Sequence, residues 1–481
     1  MRLLLVNPYF GTGTDARTEG ATHSPPLGLG FLATYVRDHS DCRVEVLDPA
    51  PQGLTLEQTL ARAAEADFVG LTCYADTRFQ CFEFAERLRV AHPKATIIVG
   101  GPHTFAMDEL ILRRYPFIDI VVRGEGEETL LEIVQGVPRA EIAGITYRDG
   151  GRVIRNPLRA LSDSINRYYI DYSLLPPMDL YSRDVEAPAD IRRLKTLYTI
   201  ATRGCPFQCS YCANIHWERR WRATTPDELV RRIKGWVEQF GVEYVRFYDD
   251  LFTANKGWVL EFCRRLRDSG LRIRFRVLVR AGTDRAVLKA LKDAGCVAVG
   301  FGIESGSDRV LKRIEKKITR EQVIETVRAC RELGLWTVGA FIISLPDETV
   351  EDYEQTLSLT PLVDTFQTNI QIIFPYTPFY EELKGRGEID DAIWFEKAHE
   401  GRLLYTRENF PSARVGRREL EWMALRTQYH HFLRRPGRVT AKYGWFFGSM
   451  MVVLAAVDTP LRGALFRVAY RFRALWRRWI Y

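Results

Sequence analysis

Three cysteines stand close together in CPFQCSYC, where Cys205, Cys209 and Cys212 form a C-x3-C-x2-C array. Thiolates at this spacing serve one of three chemistries. A structural zinc ion takes four protein ligands, and His216, four residues beyond Cys212, would complete a Cys3His set. Against zinc, the sequence has no second C-x2-C pair. A dithiol that exchanges with disulfides needs only Cys209 and Cys212 and leaves Cys205 without a role. A [4Fe–4S] cluster is ordinarily held by four thiolates, so three would leave one iron open to another ligand.

The array follows a strand pattern, LYTIATRG, that opens a long alternation of apolar runs and helical periodicity. The later runs are YVRFYDD, IRFRVLVR, VAVGFGIES, TVGAFIISL and TNIQIIFP. Parallel strands each followed by a helix predict a full or partial β/α barrel over 196–386, with its chemistry at the carboxyl ends of the strands. Ahead of it, residues 1–135 show the same alternation: LLLVN, VEVLD, FVGLTC, TIIVGG and DIVVRG, separated by LGLGFLATYVRDH, LEQTLARAAEA and FEFAERLRVAH. That segment predicts a doubly wound, Rossmann-like α/β domain. Residues 136–195 read as a linker containing a hairpin, ITYRDGGRVIRNP, and a proline-marked connector, LLPPMDLY. Residues 387–440 read as a helical domain, with Trp394, Trp422 and Tyr429 as packing residues.

Composition excludes several classes. With 46 % hydrophobic and 27 % charged residues the chain is globular and not disordered. The six remaining cysteines (Cys42, Cys73, Cys81, Cys263, Cys296, Cys330) lie singly in apolar or periodic stretches, which fits a reducing cytoplasm better than a disulfide framework. The net charge of +7 does not mark a nucleic-acid protein, because its excess sits in the tail, where ten Lys and Arg after His431 face only Asp458. Within residues 441–481, YGWFFGSMMVVLAAV is shorter than the about 20 residues of a bilayer span. It runs into an arginine- and aromatic-rich segment, so the tail reads as a monotopic anchor and predicts peripheral contact with the cytoplasmic membrane face.

The array after the first barrel strand resembles that of the radical S-adenosylmethionine (SAM) superfamily, with Tyr211 as the aromatic before the last cysteine. In that family the open iron chelates the amino and carboxylate groups of SAM, and an electron from the cluster yields a 5′-deoxyadenosyl radical. The resemblance extends along the barrel. FYDDLFT places Asp249 and Asp250 where relatives bind the SAM amino group, and Arg280 ends the third strand where relatives carry arginine. GIESGSDRVLKRI is similar to the fourth-strand segment that would bring Glu304 and Ser305 near the ribose or carboxylate. FIISLPDET is similar to a fifth-strand G-x-P-G-E-T segment, with Ser344 and Asp347 at positions where glycine is commoner, and would pass Leu345 and Pro346 under the adenine.

The front segment resembles the cobalamin-binding domain that precedes many such barrels. NPY, PPLGLGFLATYV, IIVGGPH and DIVVRGEGEETL carry the likeness. It implies cobalamin contacts at Pro26, Gly28, Thr72, Tyr74, Gly100, Gly101 and His103. Together the halves imply a cobalamin-dependent radical SAM enzyme, a methyltransferase acting on an unactivated carbon of a small, apolar or lipid-like substrate. A flavodoxin, ferredoxin or reductase would supply electrons, and no nucleic acid is expected. Relatives of this kind also perform oxidative cyclisation or ring rearrangement, and a methylthiotransferase-like RNA enzyme is a further alternative.

Overall fold

The computed structural model describes residues 1–10, 24–181, 184, 186–214 and 219–395. The front sheet has strands β1 (Arg2–Val6), β2 (Arg43–Leu47), β3 (Phe68–Thr72), β4 (Thr96–Gly100), β5 (Ile120–Val122), β6 (Ile145–Asp149) and β7 (Arg152–Arg155) in the order β2-β1-β3-β4-β5-β6-β7. The first five are parallel, and β6 and β7 add an antiparallel hairpin at the β5 edge. Alternation along β1 sends Leu3 and Leu5 into one core and Leu4 and Val6 into the other. Helices α1 (Leu27–His39) and α6 (Glu127–Val134) cover the first face. The short α2 (Pro49–Gln52) leads to α3 (Leu56–Ala63), α4 (Arg78–Ala91) and α5 (Thr104–Arg114), which cover the second. This is the doubly wound domain the sequence predicts.

One element lies differently from the sequence reading. The hairpin 145–155, expected within the linker, is hydrogen-bonded into the front sheet, where β5 pairs with β6 through Ile120↔Tyr147, Val121↔Thr146 and Val122↔Ile145. Ile145 and Tyr147 are buried there, so the hairpin's apolar face is satisfied only by joining that sheet.

The second sheet is wholly parallel and runs β8 (Thr196–Thr199), β11 (Tyr244–Phe247), β12 (Arg274–Val279), β13 (Cys296–Glu304), β14 (Trp336–Ile343), β15 (Thr365–Ile370), with β8 and β15 at its edges. Between the first two strands, β9 (Thr202–Arg203) and β10 (Arg222–Ala223) form a small antiparallel ladder at the neck of the cysteine loop. Helices α7 (Pro226–Phe240), α8 (Lys256–Asp268), α9 (Arg285–Asp293), α10 (Asp308–Arg313), α11 (Arg320–Glu332) and α12 (Val350–Leu359) follow the strands, and α13 (Pro378–Gly385) follows β15. Consecutive neighbours in chain order make the curled half-barrel, with Val245, Phe247, Phe275, Val277, Val299 and Phe301 turned outward onto the helices.

The concave face is closed at the amino ends of the strands by the connector. Asp184 accepts from Tyr244 Oη at 2.8 Å, Arg246 Nη1 at 2.9 Å and Arg276 Nη1 at 2.9 Å. Glu186 pairs with Arg246 at 3.0 Å and Arg276 at 2.8 Å, and its carbonyl accepts from Trp336 Nε1 at 3.0 Å. Burial would raise the Asp184 carboxyl, but the two guanidiniums outweigh it and hold it down at about 2.

The two halves share a core: residues of α12 and α13 pack with the second face of the front sheet. Trp394, buried as expected, ends the described region in a 3-10 turn, Asp391–Trp394. Trp422, Tyr429 and the tail 441–481 lie outside the described residues. Among the described residues no helix is long and apolar enough to cross a membrane.

Candidate active site

The carboxyl ends of both sheets meet. Ser24, just before α1, lies 3.0 Å from Tyr248 Oη at the end of β11, and Glu125 after β5 binds Arg203 of β9 at 3.0 Å. The cysteine loop projects into this junction. Cys205, Cys209 and Cys212 are free and partly exposed, unlike the six other cysteines, which are buried. Burial pushes the Cys212 thiol up to about 11, with Cys209, Asp250 and Cys205 adding to the effect, so the three sulfurs lie within electrostatic reach of one another.

Among the described residues no three His, Cys, Asp or Glu side chains converge on one point that would hold a single metal ion. Three thiols carried on one loop fit a cuboidal cluster, in which each thiolate would meet a different iron. His216 lies outside the described residues. Arg280 stacks its guanidinium 3.6 Å from the Phe207 ring inside the array and feels the Cys209 and Cys205 thiols electrostatically. Its Nη2 is buried without a partner. A cation beside three thiols suits an anionic sulfur-rich group.

The fourth strand builds the opposite wall. The ladder between β13 and β14 slips between Gly302 and Glu304, and Glu304 adopts φ +65°. This turns its carboxylate into the barrel, where it accepts from Lys316 Nζ at 2.7 Å. Lys316 in turn lies 3.3 Å from Tyr211 Oη. A Cβ on Gly302 would stand 2.4 Å from Glu304 Oε1 and 2.9 Å from Lys316 Nζ, so glycine makes room for the pair. Burial, and then the Glu304 charge, push the Tyr211 phenol well up. Lys316 is absent from the sequence reading. Its neighbours Glu315 and Lys317 both take left-handed conformations, φ +53° and +52°, and this turn accompanies a lysine that is only 8 % exposed. Lys312 and Lys317 carry the same side chain nearby, so composition gave no signal to choose between them.

The two aspartates separate. Asp249 is buried and accepts from the backbone N–H groups of Ala201 (3.0 Å) and Thr202. It therefore pins the start of the cysteine loop. Asp250 is exposed and acts electrostatically on Cys205 and Cys212. Ser305 is fully buried, with its hydroxyl 3.1 Å from Thr356 Oγ1 and accepting from Ser307 N–H at 3.2 Å, so it braces the strand end against α12. Leu345 and Pro346 are buried in a turn flanked by Ser344 at φ +66° and Asp347 at φ +60°, the two positions at which the sequence departs from glycine.

In the front domain, Thr72 ends β3 with Tyr74 two residues on, Gly100 ends β4 with Gly101 next, and Pro26 caps α1 with Gly28 in its first turn. Gly28 has open space around it, Tyr74 is 44 % exposed and Gly101 takes φ +109°. A Cβ on Gly101 would meet the Cys73 carbonyl at 2.8 Å. An exposed ring beside side-chain-free backbone at the carboxyl edge of a parallel sheet fits a large planar ligand such as a corrin. His103 stands apart: it caps α5, is buried 5.4 Å from the Trp394 ring, and neither ring nitrogen has a partner. Burial and the Arg78 charge lower its pKa to about 3, so it is neutral.

Comparison with known proteins agrees with this division. Residues 199–360 match the Radical SAM superfamily and residues 13–134 match the B12 binding domain. An uncharacterised methyltransferase of Pyrococcus horikoshii is 33 % identical over 78 % of this chain and 81 % of its own. The anaerobic magnesium-protoporphyrin IX monomethyl ester cyclase of Rubrivivax gelatinosus is 25 % identical over 82 % of this chain and 72 % of its own. The structure of TsrM, a radical SAM methyltransferase from Kitasatospora setae, superposes with a TM-score of 0.67 at 20 % identity, covering 80 % of this chain and 76 % of that one.

Proposed function

Because this chain belongs to the cobalamin-binding radical SAM family, and so is a radical SAM enzyme that uses a [4Fe–4S] cluster, SAM and cobalamin, we propose that it transfers methyl to an unactivated carbon of an apolar small molecule. The observation that carries this reading is the facing of two strand ends: the half-exposed cysteine loop on one side, the open edge around Tyr74 and Gly101 on the other. Bound there, the cluster supplies an electron to SAM and cobalamin supplies a methyl carrier.

The chain's own part is to hold and orient. Cys205, Cys209 and Cys212 are the cluster ligands. Lys316 offers a cation for the SAM carboxylate, while Glu304, Tyr211 and Asp250 offer acceptors for its amine and ribose. Pro26, Gly28, Thr72, Tyr74, Gly100 and Gly101 line the corrin side. Ser305 and Asp249 are positioning residues in this reading, and His103, buried against Trp394, is held neutral. Arg246 and Arg276 are both engaged by Asp184 and Glu186, and along β12 and β14 the same concave face continues as Leu278, Ala340 and Ile342. With Gln367 and Asn369 of β15 beside Ala340 and Ile342 on that face, the lining supports an uncharged substrate that is apolar in part. The aromatic and arginine-rich tail supports delivery of such a substrate at a membrane surface, with a flavodoxin, ferredoxin or reductase as electron donor.

Anaerobic purification with cobalamin supplied, scored for iron, corrin and 5′-deoxyadenosine, is the test. Replacement of all three array cysteines by Ala is expected to abolish iron while leaving corrin uptake. Iron retained by that variant overturns the ligand assignment. Label from methyl-labelled SAM should enter product; turnover without label would favour the cyclisation seen in the Rubrivivax relative's name.

A further inference from the structure

The cysteine loop leaves and rejoins the barrel through a very short neck. β9 and β10 pair through Arg203↔Arg222 and Thr202↔Ala223, with one further backbone bond from Thr224 N–H to the Ala201 carbonyl at 2.9 Å. A two-residue ladder is marginal by itself, and this one sets two guanidiniums opposite each other, which is repulsive. The neutralising charge comes from the front domain. Glu125 accepts from Arg222 Nη1 at 3.0 Å, Arg222 Nη2 at 2.8 Å and Arg203 Nη1 at 3.0 Å. Glu127 accepts from Arg203 Nη2 at 2.6 Å. The Arg203 guanidinium lies between two rings, 4.9 Å from Phe31 of α1 and 4.8 Å from Tyr168 of the connector. The side chains of Arg203, Arg222, Glu125 and Glu127 are all nearly enclosed, 12 % exposed at most.

We infer that Glu125 and Glu127 are positioning residues for the cysteine loop: the corrin-side domain closes the loop's neck through Arg203 and Arg222 and so sets the geometry of the iron site. This rests on the reading of Cys205, Cys209 and Cys212 as cluster ligands. Buried arginines paired across a neck cannot be left half-neutralised, because an uncompensated buried charge opens the structure around it.

The test uses the full chain and compares Glu125→Gln, the double variant Glu125→Gln/Arg222→Gln, and Asp108→Asn. Asp108 is an equally buried carboxylate of helix α5, paired with Arg123 at 3.3 Å and Arg155 at 2.7 Å rather than with the neck arginines. Two readouts are taken: amide hydrogen exchange at residues 204–214 in the cluster-free chain, and the rate of iron loss to a chelator in the reconstituted one. Glu125→Gln should speed both by about tenfold or more, the double variant should restore much of the protection, and Asp108→Asn should lower thermal stability while moving neither. Equal effects of Glu125→Gln and Asp108→Asn overturn the inference, as does an unchanged loop in Glu125→Gln. Fast exchange in Glu125→Gln with no cluster in any variant would instead keep the neck and remove the ligand assignment.

Discussion

Lys316 and Glu304 meet at 2.7 Å inside the barrel, across the short helix that separates them in the chain, and Tyr211 of the cysteine loop joins them at 3.3 Å. The pair thereby ties the fourth strand to the loop that carries Cys205, Cys209 and Cys212. A buried ion pair gives little net stability, since desolvation offsets most of the attraction. What it provides is a fixed cation and a fixed acceptor beside the thiols.

Gly302→Ala puts a methyl 2.4 Å from the Glu304 carboxylate and must displace the pair. The colliding atoms are side-chain ends, so the fold should survive. Equilibrium binding of SAM is expected to weaken by about tenfold, the effect of losing one charge-assisted contact. Lys316→Met should do the same and Lys316→Arg should recover part. Unchanged affinity in all three would take the pair out of the SAM site.

Ser344→Gly is expected to stabilise the protein by ~1 kcal/mol. Ser344 sits at φ +66° with its hydroxyl buried and unpartnered. A left-handed residue costs about 1–2 kcal/mol, of which glycine's greater unfolded-state freedom returns part. Asp347→Gly, at φ +60°, should gain nothing, because Asp347 Oδ2 accepts from Arg313 Nε at 2.8 Å. Chemical denaturation of the two variants separates these outcomes.

Stability should fall as pH rises from about 4 to about 7. Burial pushes the Asp249 and Glu348 carboxyls up to about 7, and each keeps one oxygen without a partner. An unfolded carboxyl releases its proton near pH 4, so between these values the native state holds a proton that the unfolded state has lost. The contribution is complete below pH ~4 and disappears as pH rises through ~7. Asp249→Asn and Glu348→Gln should each flatten the profile, by at most about 1.4 kcal/mol per pH unit. Denaturation midpoints measured across this window give the answer, and an unaltered slope in both variants would contradict the assignment.

Much of this architecture was legible in the residues. Apolar runs such as LLLVN and VAVGFGIES can only be buried on two faces, which demands a parallel sheet with helices on either side, and helix α1 begins and ends where LGLGFLATYVRDH does. The C-x3-C-x2-C spacing likewise placed three thiols on one loop after one strand. These features are local, set by side-chain period and by neighbours a few residues away.

Other features needed the tertiary structure, because they depend on which distant groups meet. FYDD offers two equivalent carboxylates, and only the packing sends Asp249 to the backbone of Ala201 and Thr202 while leaving Asp250 toward the cysteines. Lys316 looks like any lysine of a charged helix until a strand slip at Gly302 brings Glu304 to it. Arg203 reads as a solvated residue beside a cysteine until Glu125 and Glu127, more than seventy positions earlier, close around it. Periodicity fixes which face a side chain takes, but a buried charge is settled by its partner, and partners are chosen by the fold.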